Sequence, residues 1–400
     1  MKVIGIVGEY NPFHFGHAYH IEESRKAAGE DSAVVCVMSG DFVQRGEAAL
    51  YSKFARAEAA CRSGADLVLE LPLPWSLSSA EGFARGALGI LGNLGIVDTL
   101  SFGSECGSAD ALSRTAELLL KHETDERIRR ELKENEGISF AAARQRALAH
   151  FDGDLALLLE SPNNILGVEY IKAIYEQSLD ITPVTVMRLG AGHDAHGDAL
   201  PRSASEIRRL IKAKNDADGD IPAAALEVYE RERRLGRGPV FADALEIAAL
   251  SRLRMLPKEA FALLPDCGEG LSDRIAAAVS EESSLDAIAA AAKSKRYALS
   301  RIRRILMCAS LGVRKGASLD LPPYARVLAA NETGCRLLKE AKDKGRIPIL
   351  TKPAAVKSLG TESLKLFKLG SDAHDFYVFG YAAREERRGG TDWRQSPKIL

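Results

Sequence analysis

Two histidines stand three residues apart in His14-Phe15-Gly16-His17, directly after the apolar run Val3-Ile4-Gly5-Ile6-Val7. A buried strand that ends in the turn Gly8-Glu9-Tyr10-Asn11-Pro12-Phe13 and then opens a helix puts backbone N–H groups and a helix dipole where an anion can sit. Imidazoles at this spacing share one helical face and can both donate to a single polyphosphate. Gly16 between them leaves room for a backbone or a base ring, with no Cβ in the way. His20 continues the spacing. A zinc protease needs histidines at i, i+4 around a glutamate, and no such run is present, so no metal-ligand set is expected. The chemistry implied is the binding and cleavage of a nucleotide's phosphates.

The elements that must position these groups alternate. Short β-rich runs at Val3–Val7, Ala33–Met38, Asp66–Leu71, Val97–Phe102 and Pro183–Arg188 are separated by amphipathic stretches such as Ala18–Ala28, Ser52–Ser63 and Glu81–Leu91. That pattern predicts an α/β fold with a Rossmann-like parallel sheet. Ligands of such sheets lie beyond the carboxyl ends of the strands, so the loops there carry function. After the second strand comes Ser39-Gly40-Asp41-Phe42-Val43-Gln44-Arg45-Gly46-Glu47, polar and glycine-punctuated. After the fourth comes Phe102-Gly103-Ser104-Glu105, and after the fifth Gly190-Ala191-Gly192-His193-Asp194-Ala195-His196.

Downstream, Ser203-Ala204-Ser205-Glu206-Ile207-Arg208-Arg209 is a capping box with Ser203 as N-cap and Glu206 at N3. Two serines and two arginines at a helix start form a second anion site, so Ser203 and Ser205 are expected to grip phosphates from the side opposite the histidines. A helical insertion spans about residues 108–180. Its charge run from Lys121 to Glu136 is a solvated face. It ends in Ser161-Pro162-Asn163-Asn164, whose amides can cap a helix and still meet a base or ribose.

Composition bounds the rest. The chain has 400 residues, 46% hydrophobic and 27% charged, with a net charge of −1. A protein of this size holds two or three domains. There is no long apolar run and no signal-like start, so a cytoplasmic protein without membrane association is expected. Six scattered cysteines, with no paired spacing, suit reduced thiols.

Residues 1–214 read as the nucleotide-binding domain, 215–383 as a mainly α-helical domain and 384–400 as a polar tail. Within the helical part, Lys293, Lys295, Arg296, Arg301, Arg303, Arg304, Arg314 and Lys315 place eight basic residues in twenty-three with no acid among them. On a helical wheel Arg296, Tyr297, Arg301, Arg303 and Arg304 fall on one face and Leu299, Ile302, Leu306 and Ala309 on the other. A positive stripe with a tyrosine in it suits a phosphodiester backbone.

Taken together, the turn Gly8 to His17, the Ser39–Glu47 loop, Phe102-Gly103-Ser104-Glu105, Ser161 to Gly167, Arg188-Leu189-Gly190-Ala191-Gly192, Arg301-Ile302-Arg303-Arg304 and Ile347 to Pro353 span nearly the whole chain. They resemble the bacterial tRNA(Met) cytidine acetate ligases, relatives of the HxGH nucleotidylyltransferases. The resemblance implies an enzyme that activates acetate with ATP as acetyl-adenylate, then passes the acetyl group to N4 of the wobble cytidine of elongator tRNA(Met). By motif position it implies an ATP site of Val7, Gly8, Glu9, Tyr10, Asn11, Pro12, Phe13, His14, Phe15, Gly16, His17, Ala18, Tyr19 and His20, completed by Gly103, Asn163 and Arg188.

On that reading His14 and His17 act on the phosphates, Gln44 and Arg45 close over acetate or cytidine, and Mg2+ bridges the phosphates while keeping most of its waters. Lys293, Lys295, Arg296, Arg301, Arg303, Arg304 and Lys315 would meet the tRNA. Two departures from the family pattern stand out: Gly192 precedes His193-Asp194 in place of a tyrosine, and Ser205-Glu206 replaces threonine-alanine. Two rival functions share the first motif. A small-molecule adenylyltransferase would need no basic helical domain, and a catalytically silent RNA-binding protein would need no intact histidine pair.

Overall fold

Every side chain of the run Ala33 to Ser39 is buried, which only a strand covered on both faces allows. In the computed structural model, which describes residues 1–188, 202–268, 270–318 and 320–400, this strand (β2) is flanked by β1 (Val3–Gly8) and β5 (Leu67–Leu71). The sheet runs β10-β8-β5-β2-β1-β6-β7, with β6 at Thr99–Ser104, β7 at Thr182–Met187, β8 at Ala325–Ala330, β9 (Ile349–Leu350) beside β8, and β10 at Lys398–Ile399. All pairings in it are parallel except β5 with β8. The loop expected at residues 190–196, with His193, lies outside the described residues.

The five expected strands all form. Chain order steps outward from β1 through β2 to β5, then returns to β6 on the other side. The crossover direction therefore reverses beside β1, and the crevice at the carboxyl ends of β1 and β6 is the ligand position such a sheet offers. The turn after β1 opens into that crevice.

Alternation assigns the two covers. Val35 and Val37 of β2 face one core with α3 (Ala80–Asn93) and α8 (Pro162–Glu176), whereas Val34, Cys36 and Met38 face the other with α1 (Phe15–Ala28), α2 (Lys53–Arg62), α9 (Ala204–Lys212) and α10 (Ala223–Arg234). Between β6 and α8 the insertion supplies α4 (Ala109–Leu120), α5 (His122–Glu134), α6 (Phe140–Ala149) and α7 (Gly153–Leu157).

The chain crosses the expected division at residue 214 several times. Helix α10 packs on α2, with Tyr229 stacked on Tyr51 at 4.3 Å, because its apolar face belongs to the sheet's own core. A separate core is built by α11 (Ala242–Arg254), α12 (Leu271–Glu281), α13 (Leu285–Ala292) and α14 (Leu299–Leu311). The chain then returns to the sheet as β8, α15 (Glu332–Lys344) and β9, packs α16 (Thr361–Tyr377) against α11 and α14, and closes with β10.

The 384–400 tail is bound, not loose. Asp392 is fully buried and accepts from Arg326 at 2.8 and 2.9 Å, and Lys53 lies 3.1 Å away. Glu70 pairs with the same two cations at 2.8 and 3.2 Å. Despite the burial, Lys53 and Arg326 hold the Asp392 carboxyl below the usual carboxylate range. Removing one member strands the others in low dielectric. Asp392→Ala should therefore lower the unfolding free energy by about 3–5 kcal/mol. Urea titration followed by circular dichroism checks this, and an unshifted midpoint would show that the tail is dispensable.

Candidate active site at the carboxyl ends of β1 and β6

His14 is the N-cap of α1, one residue outside the helix. Its Nδ1 accepts from the Gly16 N–H at 3.0 Å, and the His17 Nδ1 accepts from the His14 N–H at 3.3 Å. The pair forms a capping box in which imidazoles replace the usual hydroxyl and carboxylate. An Nδ1 that accepts leaves the proton of a neutral ring on Nε2, so each histidine keeps one N–H donor. The expectation that backbone N–H groups grip the anion directly is thus modified: the rings take up those N–H groups and carry their polarity outward. Gly16 serves the rings as well, since a Cβ there would lie 2.7 Å from the His14 Cε1.

The rings lie close, tilted by 41° with centroids 4.0 Å apart, and His17 is edge-on to Tyr10 at 5.0 Å. Tyr10 and Phe13 turn inward: the Tyr10 hydroxyl meets the Cys36 Sγ at 3.1 Å, and the Tyr229 hydroxyl accepts from the Phe13 N–H at 2.9 Å. They shape the turn and present no side chain to the crevice. Phe15 is exposed, and Val7, Gly8, Ala18 and Tyr19 are half-buried. His20 faces Ser101, its Nε2 3.0 Å from the Oγ, so it is committed to β6.

Burial pushes the His14 and His20 imidazoles down to about 4, with the Arg188 guanidinium adding to the effect. His17 is lowered well below its ordinary value by burial and by His14. Arg188 follows β7 and lies over Gly103, where a Cβ would be 3.3 Å from its Cγ. Two neutral histidine donors, His14 and His17, thus stand beside the cation Arg188. Nearby Asn11 is buried; its Oδ1 accepts from the Leu50 N–H at 2.7 Å, and its Nδ2 has no partner among the described residues.

The asparagine pair is held by one carboxylate. Glu105 accepts from the Asn163 Nδ2 at 2.6 Å and from the Asn164 N–H at 2.9 Å, while the Asn164 Oδ1 accepts from the Glu105 N–H at 3.0 Å. Asn164 is spent in this lock, and Asn163 keeps its carbonyl oxygen.

At α9, Ser203 is consumed by its capping box with Glu206. Ser205 accepts from Arg208, whose other nitrogen donates to the Asn11 carbonyl at 2.8 Å. Arg208 therefore brings α9 onto the histidine turn. The sequence placed Arg208 in the second anion site but gave no sign of this contact with Asn11.

The Ser39–Glu47 loop folds as a hairpin of β3 (Phe42–Val43) and β4 (Glu47–Ala48) with Gln44 and Arg45 at its tip. Gly46, at φ 80°, closes the three-residue turn. A Cβ on it would sit 2.5 Å from the Arg303 and Arg304 backbones, so only glycine lets the hairpin lie against α14. The Gln44 N–H donates to the Glu9 Oε1 at 2.8 Å. Beneath the hairpin Asp41 pairs with His374 at 2.8 Å. Arg56, fully buried, donates to the carbonyls of Glu9, Ser39, Gly40 and Tyr51. Sequence reasoning missed it, though an arginine inside the alanine-rich run Phe54 to Cys61 was a signal.

The basic stripe is not one helix face. Lys293, Lys295 and Arg296 precede α14, and Tyr297 is buried in the helical core. Arg303 pairs with Glu47 at 3.3 Å and Asp286 at 3.0 Å, Arg304 lies 3.7 Å from Asp266, and Arg301 donates to the Asp266 carbonyl at 2.7 Å. The wheel overlooked these acids because they come from other elements. Lys293, Lys295, Arg314 and Lys315 stay exposed.

With this geometry in view, kinship can be placed. The family described as HIGH Nucleotidyl Transferase matches residues 1–392. A tRNA(Met) cytidine acetate ligase of Acetivibrio thermocellus is 37% identical over the full length of both chains, and one of Caldanaerobacter subterraneus subsp. tengcongensis is 40% identical over 95% of this chain and 96% of that one. The chain belongs to the tRNA(Met) cytidine acetate ligase family. The crystal structure of Thermotoga maritima TmcAL bound with alpha-thio ATP superposes with a TM-score of 0.92 at 34% identity, covering all of both chains. The family fold is thus kept throughout, including the returning strands.

The lowered histidines carry a pH consequence. The unfolded chain takes up a proton at His20 near 6.5, the folded one only at about 4, so folded stability falls as pH drops from 6.5 toward 4. His20→Gln should lose less stability than the parent between about pH 7 and about pH 5. Urea midpoints at the two pH values measure it, and equal losses in both proteins would contradict it.

Proposed function

We propose that the crevice beside β1 and β6 activates acetate with ATP, releases pyrophosphate, and acetylates N4 of the wobble cytidine of elongator tRNA(Met). The observation that carries this reading is the histidine capping box: two rings anchored through Nδ1 and left with Nε2–H donors at a helix start. Full-length kinship with the ligases favours it over a small-molecule adenylyltransferase or a silent RNA-binding protein.

An acetate oxygen attacks the α-phosphorus in line, and charge moves onto the phosphate oxygens and the departing pyrophosphate. Donors fixed in advance stabilise that charge without reorganising. His14 and His17 supply two, aligned by the α1 dipole behind them; Arg188 supplies a positive charge, and Arg208 with Ser205 grips from α9. The orphan Asn11 Nδ2 is a further donor for a substrate oxygen. Asn163 offers its carbonyl oxygen to the nucleotide beside Gly103.

Among the described residues no three His, Cys, Asp or Glu side chains converge as a metal site. Mg2+ arriving with the ATP phosphates needs no such cage, and when bound it would neutralise phosphate charge. Gln44 and Arg45, at the hairpin tip, close over the acetyl group and the incoming cytidine and exclude water from the labile intermediate. Arg45 is exposed there, with no partner among the described residues. Lys293, Lys295, Arg296, Arg301 and Lys315 face the tRNA, while Arg303 and Arg304 brace α14. No helix among the described residues is long and apolar enough to cross a membrane, and the six free thiols suit a reaction in the cytoplasm.

Incubation with labelled acetate, ATP and total bacterial tRNA should place the label in elongator tRNA(Met); label in another tRNA, or none, overturns the reading. His17→Asn keeps an acceptor for the His14 N–H but has no N–H at the position of the imidazole Nε2. It should slow acetate-dependent ATP–pyrophosphate exchange by about 100-fold or more, with tRNA binding retained. Conversely, changing Lys293, Lys295 and Lys315 to glutamate should weaken tRNA binding and flatten its salt dependence, leaving the exchange rate near that of the parent. Filter binding across a salt series and the exchange assay separate these outcomes.

A further inference from the structure

The second half-reaction needs a proton acceptor. Cytosine N4 is a weak nucleophile because its lone pair is delocalised into the ring, and its attack on a carbonyl is completed only when a proton leaves nitrogen. The carboxylates around the crevice can be compared by their commitments. Asp41 accepts from the Lys53 N–H and pairs with His374. Glu70 gives one oxygen to Lys53 and the other to Arg326. Glu105 spends both oxygens on Asn163 and Asn164, and Glu47 pairs with Arg303 and lies 3.9 Å from Arg208.

Glu9 differs. It follows β1 directly, in the same turn as the histidine box, and its Oε1 accepts from the Gln44 N–H at the hairpin tip. Its Oε2 has no hydrogen-bond partner among the described residues, and the side chain is half-buried. The group therefore links the turn that holds the adenylate to the hairpin that meets the acceptor, with one oxygen pinned and the other open.

Resting on the acetate-ligase reading above, we propose that Glu9 is the catalytic base of acetyl transfer, its Oε2 taking the proton from the cytidine N4 amine. The N4 lone pair forms the C–N bond to the acetyl carbon, the N–H proton passes to Glu9, and the C–O bond to the adenylate phosphate breaks with its electron pair leaving on AMP. Glu9 then returns the proton to solvent. Burial raises the Glu9 carboxyl above its usual range, which makes it a stronger base. The Gln44 N–H and the cations Arg56 of α2, Arg208 of α9 and Arg45 of the hairpin partly offset this, and Tyr170 of α8 lies within electrostatic reach.

The test compares two fates of one intermediate. Hydroxylamine, itself a strong nucleophile, traps acetyl-adenylate as acetohydroxamate without a base, whereas tRNA requires one. Glu9→Gln keeps the acceptor for Gln44 and removes the base. The ratio of acetyl transferred to tRNA over hydroxamate formed should fall by about 100-fold or more. A ratio within threefold of the parent overturns the proposal.

In the parent, single-turnover transfer should rise with pH through one ionisation lying above the ordinary carboxylate range, then level off. A rate flat down to the ordinary range, about pH 4.5, overturns it without any variant. A parent protein that forms no hydroxamate from acetate and ATP removes the acetate-activating reading itself, and this inference with it.

Discussion

One buried cation sets the geometry on which the crevice depends. Parallel strands end in a row of carbonyl oxygens that point into the loops, and those oxygens need donors once the loops bury them. Arg56 meets the need from inside α2. Its fork reaches carbonyls in the histidine turn, at the end of β2 and before α2 itself. Among the described residues no carboxylate is bonded to it, so its charge is shared among peptide dipoles. The turn that carries His14 and the hairpin that carries Gln44 are therefore referenced to the same atom group, which sets their register to one another.

A second layer of buried charge joins distant stretches of chain beneath that crevice. Lys53, Glu70, Arg326 and Asp392 form a closed ring of pairs, and Asp41 with His374 abuts it through the Lys53 backbone. Burial works against a charged imidazole, but the Asp41 carboxylate prevails and raises His374. Three acids and three bases then balance with little net charge, which makes such a cluster tolerable in low dielectric. Directional pairing in this cluster discriminates among packings where apolar contact would not.

How much of this the sequence revealed depends on whether each signal was local. The first five sheet strands are legible because apolar runs flanked by Gly, Pro and Asn turns carry their own signature, and Ser203 with Glu206 spells a cap outright. The histidine pair announced phosphate chemistry, but its use of Nδ1 for capping depends on His14 standing one residue outside the helix. Strand β8 stayed hidden because Ala325-Arg326-Val327-Leu328-Ala329-Ala330 is alanine-rich and has an arginine in it, and that arginine is explained only by Asp392 and Glu70 far away. The basic stripe misled for the same reason. Its partners Glu47, Asp266 and Asp286 lie on other elements, and a helical wheel sees only its own.

The closing of the charge ring by Asp392 has a consequence for synthesis. Asp392 and Lys53 are separated by 339 residues, and β10 is added at the sheet's edge after every other strand. During translation, Lys53, Glu70 and then Arg326 leave the ribosome with an acid missing. Until residue 392 is made, Lys53 and Arg326 have Glu70 as their one acid within the ring. The buried ring beneath the crevice is therefore balanced only once residue 392 has been made.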